Sequence, residues 1–296
     1  MTVRRDNYVL GHSEAEIRRL QTQAAILRPI TERLLRSAGI QPGMRVLDLG
    51  CGAGDVAMQA AEFVGSSGWV IGIDRNPQIL SIATQRARAG GLQHLAFYEE
   101  AADTFVDEVG FDLVVGRYVL IHQTNPAAFL RAAARLTKPG GTIAFHELRL
   151  RDACRSVPSV PLWDLIDTLL RLAFSTALPH YDAGDRLIQH FADAGLPEPN
   201  LFCETHILGT SNAPHYQWAV DTLRSVLPQL RRMGIVTEAF IEMATLERRL
   251  REAILDAHSQ VPVPPQVCVW VRTCDPVGPA ITSDTEPATP LRRVRR

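Results

Sequence analysis

The run DLGCGAGD at 48–55, followed by Asp74 twenty residues beyond its last glycine, is the part of the sequence whose residue types and spacing most constrain the chemistry. Gly50, Gly52 and Gly54 allow backbone conformations closed to other residues, and they let main-chain amides approach a ligand at the start of the helical stretch VAMQAAEFVG. Asp48 and Cys51 sit inside the same turn and are counted with it as ligand contacts. A carboxylate that ends the next strand, as Asp74 does, can accept both hydroxyls of a ribose. Together these features predict a nucleotide-like ligand. The glycine spacing then divides the candidates. A dinucleotide fold needs G-x-G-x-x-G, whose third glycine makes room for pyrophosphate and close helix packing. Counting from Gly50, that third position is Asp55, whose charge would repel pyrophosphate. A nicotinamide-dependent oxidoreductase is therefore disfavoured.

Such a turn works only if a strand and a helix hold it. Short apolar runs at 45–50, 69–74, 95–99, 111–117 and 142–148 alternate with helical stretches, which predicts βαβ units on a parallel sheet. The runs are nearly continuous instead of alternating, as expected where helices cover both faces. Further strands are predicted at 201–208 and 266–273, giving a doubly wound, mostly parallel sheet of seven strands with a helical cap. LTKPGG at 136–141 reads as the turn that launches the fifth strand. Helices are expected at 161–174, 184–195, 214–227 and 237–257. Ser13 and Glu16 form a capping box, opening an amphipathic helix that Pro29 should end or kink before a second short helix runs to Gly39. The divisions follow: a helical lid over 1–40, a ligand-binding core over 41–148, substrate-side helices over 149–200, and the last strands over 201–274 with a helical cap inserted at 209–258. Residues 275–296, rich in Pro, Thr and charge, are expected to form a disordered basic tail. His122, just past the fourth strand, and His146 and Glu147, ending the fifth, fall at the edge where doubly wound sheets hold ligands. They are the candidate general bases.

Composition narrows the partners. Lys and Arg number 31 against 32 Asp and Glu, so no global basic field exists to hold a nucleic acid. No apolar run approaches the roughly 20 residues of a membrane span, and the expectation is a soluble, cytoplasmic protein. Five cysteines with no C-x-x-C pair argue against a disulfide scaffold or a structural zinc site.

The quoted segments RVLDLGCGAGD, VIGIDRN, FDLVVGRYVL, LTKPGG and FHE, with the N-terminal YVLGHSEAEIRRLQTQ, resemble class I S-adenosylmethionine-dependent methyltransferases, in particular the ubiquinone/menaquinone C-methyltransferase-like, small-molecule group. The resemblance implies S-adenosyl-L-methionine as cofactor and methyl transfer to an O, C or N atom of a small metabolite. It implies that the glycine turn contacts the methionine part, Asp74 the ribose and Arg75 the adenine surroundings. By the same likeness Arg117 lies near the amino-acid end, and Tyr8 and Gln23 fold over the cofactor as a lid. One departure stands out. Where the family has an acid after the third strand, this chain has Ala101 and Ala102, so backbone amides or Asp103 must substitute. The rival reading is a cofactor-binding protein without catalysis. A lid helix with one apolar stripe could also be buried on a second copy of the chain, making a homo-oligomer.

Overall fold

The computed structural model describes residues 14–235 and 242–273. Tyr8 and the tail at 275–296 lie outside them. The chain opens with α1 (Glu14–Ser37) and continues through β1 (Arg45–Leu49), α2 (Asp55–Val64), β2 (Trp69–Asp74), α3 (Pro77–Ala89), β3 (Leu95–Glu99) and β4 (Phe111–Arg117). A 3-10 turn at Leu120–His122 leads to α4 (Pro126–Leu136) and β5 (Thr137–Leu148). Then come α5 (Pro161–Ala177), α6 (Leu187–Asp193), β6 (Asn200–Glu204), β7 (Ile207–Leu208), α7 (His215–Arg232), α8 (Leu246–Asp256), β8 (Val261–Pro262) and β9 (Gln266–Arg272).

Seven strands form one sheet in the order β3-β2-β1-β4-β5-β9-β6. The first five are parallel, and β9 runs antiparallel to both β5 and β6. The order reverses beside β1, so the C-terminal ends of β1, β2 and β4 open a crevice of the kind where doubly wound sheets bind ligands. Val46, Leu47 and Leu49 of β1 and Leu113, Val114 and Val115 of β4 are all buried, which accounts for their unbroken apolar runs.

Four details differ from the sequence expectation. First, α1 is one continuous helix with Pro29 inside it. An internal proline costs about 3 kcal/mol. Ile30, Leu34 and Leu35, at 0% exposure in the cluster with Val56, Ala57, Ala60 and Cys268, each contribute about 1.5–3 kcal/mol of burial, which outweighs that cost. Ile26 and Leu27, one turn earlier on α1, are buried in the same chain. Second, the run at 201–208 is split, β6 joining the main sheet and β7 pairing with β8. The ladder pairs Glu204 with Gln266 and cannot continue, because Pro264 and Pro265 have no N–H to donate. Third, the TKPGG turn lies inside β5: Thr137 pairs with Phe111, Gly140 takes φ 70°, and regular pairing starts at Thr142. Fourth, the last helix, expected over 237–257, is α8 at Leu246–Asp256, and 236–241 lie outside the described residues.

Helices α5, α7 and α8 form the cap over the C-terminal edge of the sheet. They share an apolar cluster of their own, including Trp163, Ile166, Tyr216, Leu223, Leu250 and Ile254.

Candidate active site

A cavity of about 1210 Å³ lies between the C-terminal edge of the sheet and helices α1, α5 and α7. Its first half is built by the glycine turn. Gly50 and Gly54 take φ 66° and 83°, and a Cβ on Gly50 would lie 2.5 Å from Val119 Cγ1, so no other residue fits there without displacing the start of the 3-10 turn. Gly52, at φ 52°, would project a Cβ into open space, leaving room for a ligand against its backbone. Asp74 ends β2 with its Oδ2 accepting the Gly52 amide at 3.0 Å and its Oδ1 accepting the Asn76 amide at 3.0 Å. The carboxylate is held in place at the cavity wall, and each oxygen keeps lone-pair capacity for a further donor.

Asp48 is the most unusual group here. It is buried, its Oδ2 has no hydrogen-bond partner, and burial pushes its pKa up to about 8 against the opposing pull of Arg117. A buried, half-satisfied carboxylate beside a glycine turn fits a ligand that brings an ammonium group. Arg117, at the end of β4, also lines the cavity and donates to Thr31 Oγ1 at 3.2 Å. Asp55 also lines the cavity, with its charge paired to Arg86 at 2.6 Å. Cys51, Gly50, Gly52, Arg75, Ala101 and Ala102 line the same cavity. So do Glu99, Glu100 and Asp103, which bring carboxylates to the end where the family's acid is missing. Gly54 braces the turn instead, as the N-cap residue of α2.

The three candidate bases separate. His122 lines the cavity, and burial lowers its pKa to about 4, so it is neutral at pH 7. His146 and Glu147 are sealed in the core at 0% exposure and do not line the cavity, which corrects their placement at its edge. His146 Nδ1 lies 3.1 Å from Thr31 Oγ1, and its Nε2 lies 3.0 Å from Gln266 Oε1. Gln266 donates its amide nitrogen to the Pro264 carbonyl at 2.7 Å, so its oxygen must accept, and His146 carries its proton on Nε2. The Tyr118 hydroxyl donates to the same Gln266 oxygen. Arg117, Thr31, His146, Gln266 and Tyr118 therefore form one chain of hydrogen bonds running from α1 to β9 beneath the cavity. Glu147 Oε1 accepts the amides of Val119 at 2.9 Å and Leu120 at 2.7 Å. It braces the turn that presents His122.

The second half of the cavity is apolar and lies under the cap. Trp163, Leu170 and Phe174 of α5, with Leu148, Leu150 and Trp218, form much of its wall. Gln23 lines it from α1, its Oε1 accepting from Arg19 at 2.8 Å and from the Trp218 indole at 3.4 Å. Arg19, Tyr118 and Arg171 are wall residues that the sequence reading missed. The local sequence signal for Tyr118 is only its place directly after the strand end at Arg117; the structure adds that it takes φ 56°, the left-handed region that a non-glycine residue occupies under constraint.

Residues 40–173 match the profile of a family described as a methyltransferase domain. This segment carries the glycine turn, Asp74 and the first five strands of the sheet. Over 118 residues the chain is 37% identical to the aklanonic acid methyltransferase DauC of Streptomyces sp. strain C5, covering 40% of this chain and 54% of that one. Over 116 residues it is 34% identical to the ubiquinone/menaquinone biosynthesis C-methyltransferase UbiE of Shewanella pealeana, covering 38% of this chain and 46% of the other. The chain thus spans about half the length of the curated relatives it matches. The YcgJ protein of Bacillus subtilis has the same fold, with a TM-score of 0.55 at 15% identity over 83% of this chain and 98% of that one. The glycine turn and Asp74 lie well inside the matched segment, whereas α1 and most of the cap lie outside it.

Proposed function

We propose that the protein is an S-adenosylmethionine-dependent methyltransferase that methylates an O, C or N atom of a small, largely apolar organic molecule. The observation that carries this reading is the single cavity that joins Asp74, the glycine turn and the unsatisfied Asp48 to an apolar chamber under the cap. Bound S-adenosylmethionine supplies a methyl group already activated by its sulfonium. The protein's task is therefore to bind, align and exclude water. In this reading Asp74 accepts the ribose hydroxyls, Asp48 takes the ammonium group, and Arg117 takes the carboxylate of the methionine end. Gly50, Cys51, Gly52 and Gly54 form the close-fitting turn, while Arg75, Ala101, Ala102 and Asp103 surround the adenine. Tyr8 and Gln23 belong to the lid. His122, neutral and at the cavity wall, accepts the proton of an acceptor hydroxyl or acidic carbon as it is methylated. His146 and Glu147 act one step removed, through Thr31 and Gln266 and through the His122 turn.

The names of the relatives, one acting on aklanonic acid and one in quinone biosynthesis, support an aromatic or quinone-type acceptor for this chain. A near-neutral charge balance supports a small molecule over a nucleic acid, and the reading places the enzyme in the cytoplasm. Among the described residues no helix is long and apolar enough to cross a membrane. Incubation with methyl-tritiated cofactor and a panel of phenols, quinols and aromatic acids tests the assignment. Label in an organic product supports it. Tight cofactor binding with no transfer across the panel would favour a binding protein without catalysis.

A further inference from the structure

The apolar chamber contains one feature out of keeping with its walls. Arg171 and Asp167 lie one turn apart on α5, and the chamber side of this helix otherwise presents Trp163, Leu170 and Phe174. Asp167 is 6% exposed, and its Oδ2 accepts Arg171 Nε at 2.9 Å. Its other oxygen accepts the Cys154 amide at 3.4 Å. Asp167 is buried and Arg171 partly exposed, and an i, i+4 pair of this kind adds only weakly to the stability of a helix. Its placement calls for a ligand-side reason.

Geometry supplies one. The guanidinium carries five N–H donors, of which Asp167 engages the one on Nε, and neither terminal nitrogen has a hydrogen-bond partner among the described residues. Arg171 keeps 29% of its side chain exposed, and it lines the cavity. Asp167 thus fixes the plane of the guanidinium by one edge and leaves the two-nitrogen fork for something else. Arg19, the other arginine on the cap side, differs: Glu16 accepts from its Nε and one terminal nitrogen, and Gln23 from the other. A planar fork beside Trp163 and Phe174 matches a carboxylate attached to an aromatic ring, with two parallel N–H···O bonds fixing the ring plane. The Trp163 indole N–H is engaged by the Cys154 carbonyl, so this residue offers its apolar surface.

Building on the methyl-transfer reading, we propose that Arg171, oriented by Asp167, is the specificity residue of the acceptor chamber and anchors the carboxylate of an aromatic acid. It fixes where the ring lies relative to the transferred methyl without touching the reacting atoms.

Fluorescence titration of the full chain with anthracene-2-carboxylate and its uncharged isostere anthracene-2-carboxamide tests this, with a separate calorimetric titration of S-adenosylhomocysteine on each variant. The wild type should bind the carboxylate about tenfold more tightly than the carboxamide. Arg171→Met, which keeps the apolar stem, should bring the two affinities together while leaving the carboxamide and S-adenosylhomocysteine affinities unchanged. Arg171→Lys, which keeps the charge but not the fork, should retain only part of the preference. Equal or absent binding of the two probes by the wild type, or a preference that survives in Arg171→Met, overturns the proposal. Loss of S-adenosylhomocysteine binding in the wild type would instead refute the methyl-transfer reading and leave the anion preference to be judged on the probes.

Discussion

His122 and Glu147 are the two ionisable residues on which burial has the clearest functional meaning. Burial lowers His122 to about 4, so its ring is uncharged across the neutral range. Turnover should therefore show no histidine limb between about pH 5 and 8, and it should fall only as the pH drops through about 4. His122→Gln should lower kcat by about 10²–10⁴ with cofactor affinity unchanged. A kcat within threefold of wild type would remove His122 from the mechanism. Glu147 moves the other way, from an ordinary 4.5 up to about 8, because burial outweighs the amides it accepts. Between those two values the folded state holds a proton that the unfolded chain has released, so this group's contribution falls as pH rises. Glu147→Gln keeps an acceptor for Val119 and Leu120 and does not titrate. Relative to wild type it should gain stability with rising pH from about 4.5 to 8, at up to about 1.4 kcal/mol per pH unit, and level off above that. Urea denaturation at four pH values measures the slope, and parallel curves for the two proteins would contradict the assignment.

At the scale of elements, α1 joins the cavity to the far side of the sheet. Thr31, at 0% exposure, accepts from Arg117 and faces His146, which in turn faces Gln266 on β9. Thr31→Val keeps the shape and removes the hydroxyl, which leaves the buried His146 Nδ1 without its donor. It should cost about 1–3 kcal/mol of stability and weaken S-adenosylhomocysteine binding by freeing Arg117. A variant as stable as wild type would show that the chain of hydrogen bonds carries little. This network also marks where sequence reading stops. The turn around Gly50, Gly52 and Gly54, and the Asp74 that follows, are legible because their chemistry depends on local spacing alone. The seven strands are legible because each is a short, continuous apolar run. His146 was placed at the correct strand end, yet whether it faces ligand or core was decided by Thr31 and Gln266, 115 and 120 residues away. Arg171 carries no motif of its own. Its signal was Asp167 one turn earlier, inside a segment otherwise apolar on nearly every side.

The whole molecule joins two apolar cores across one cavity: the sheet with its flanking helices, and the cap cluster of α5, α7 and α8. The half lined by the glycine turn and Asp74 belongs to the first, and the apolar half largely to the second. Ile254 sits at 0% exposure in the cap cluster, on α8, whose residues do not line the cavity. Ile254→Ala should cost about 2–5 kcal/mol and raise hydrogen exchange in α5, α7 and α8, with S-adenosylhomocysteine affinity kept within about threefold. Equal loosening of β1 and β4 would mean that the two cores unfold as one. The central claim is that the glycine turn and Asp74 hold S-adenosylmethionine, and calorimetry with S-adenosylhomocysteine tests it most directly. Micromolar-range binding by the wild type, weakened by about 1.5–3 kcal/mol in a folded Asp74→Ala variant, is the predicted result. No binding by the wild type, or the same affinity in both proteins, would contradict it.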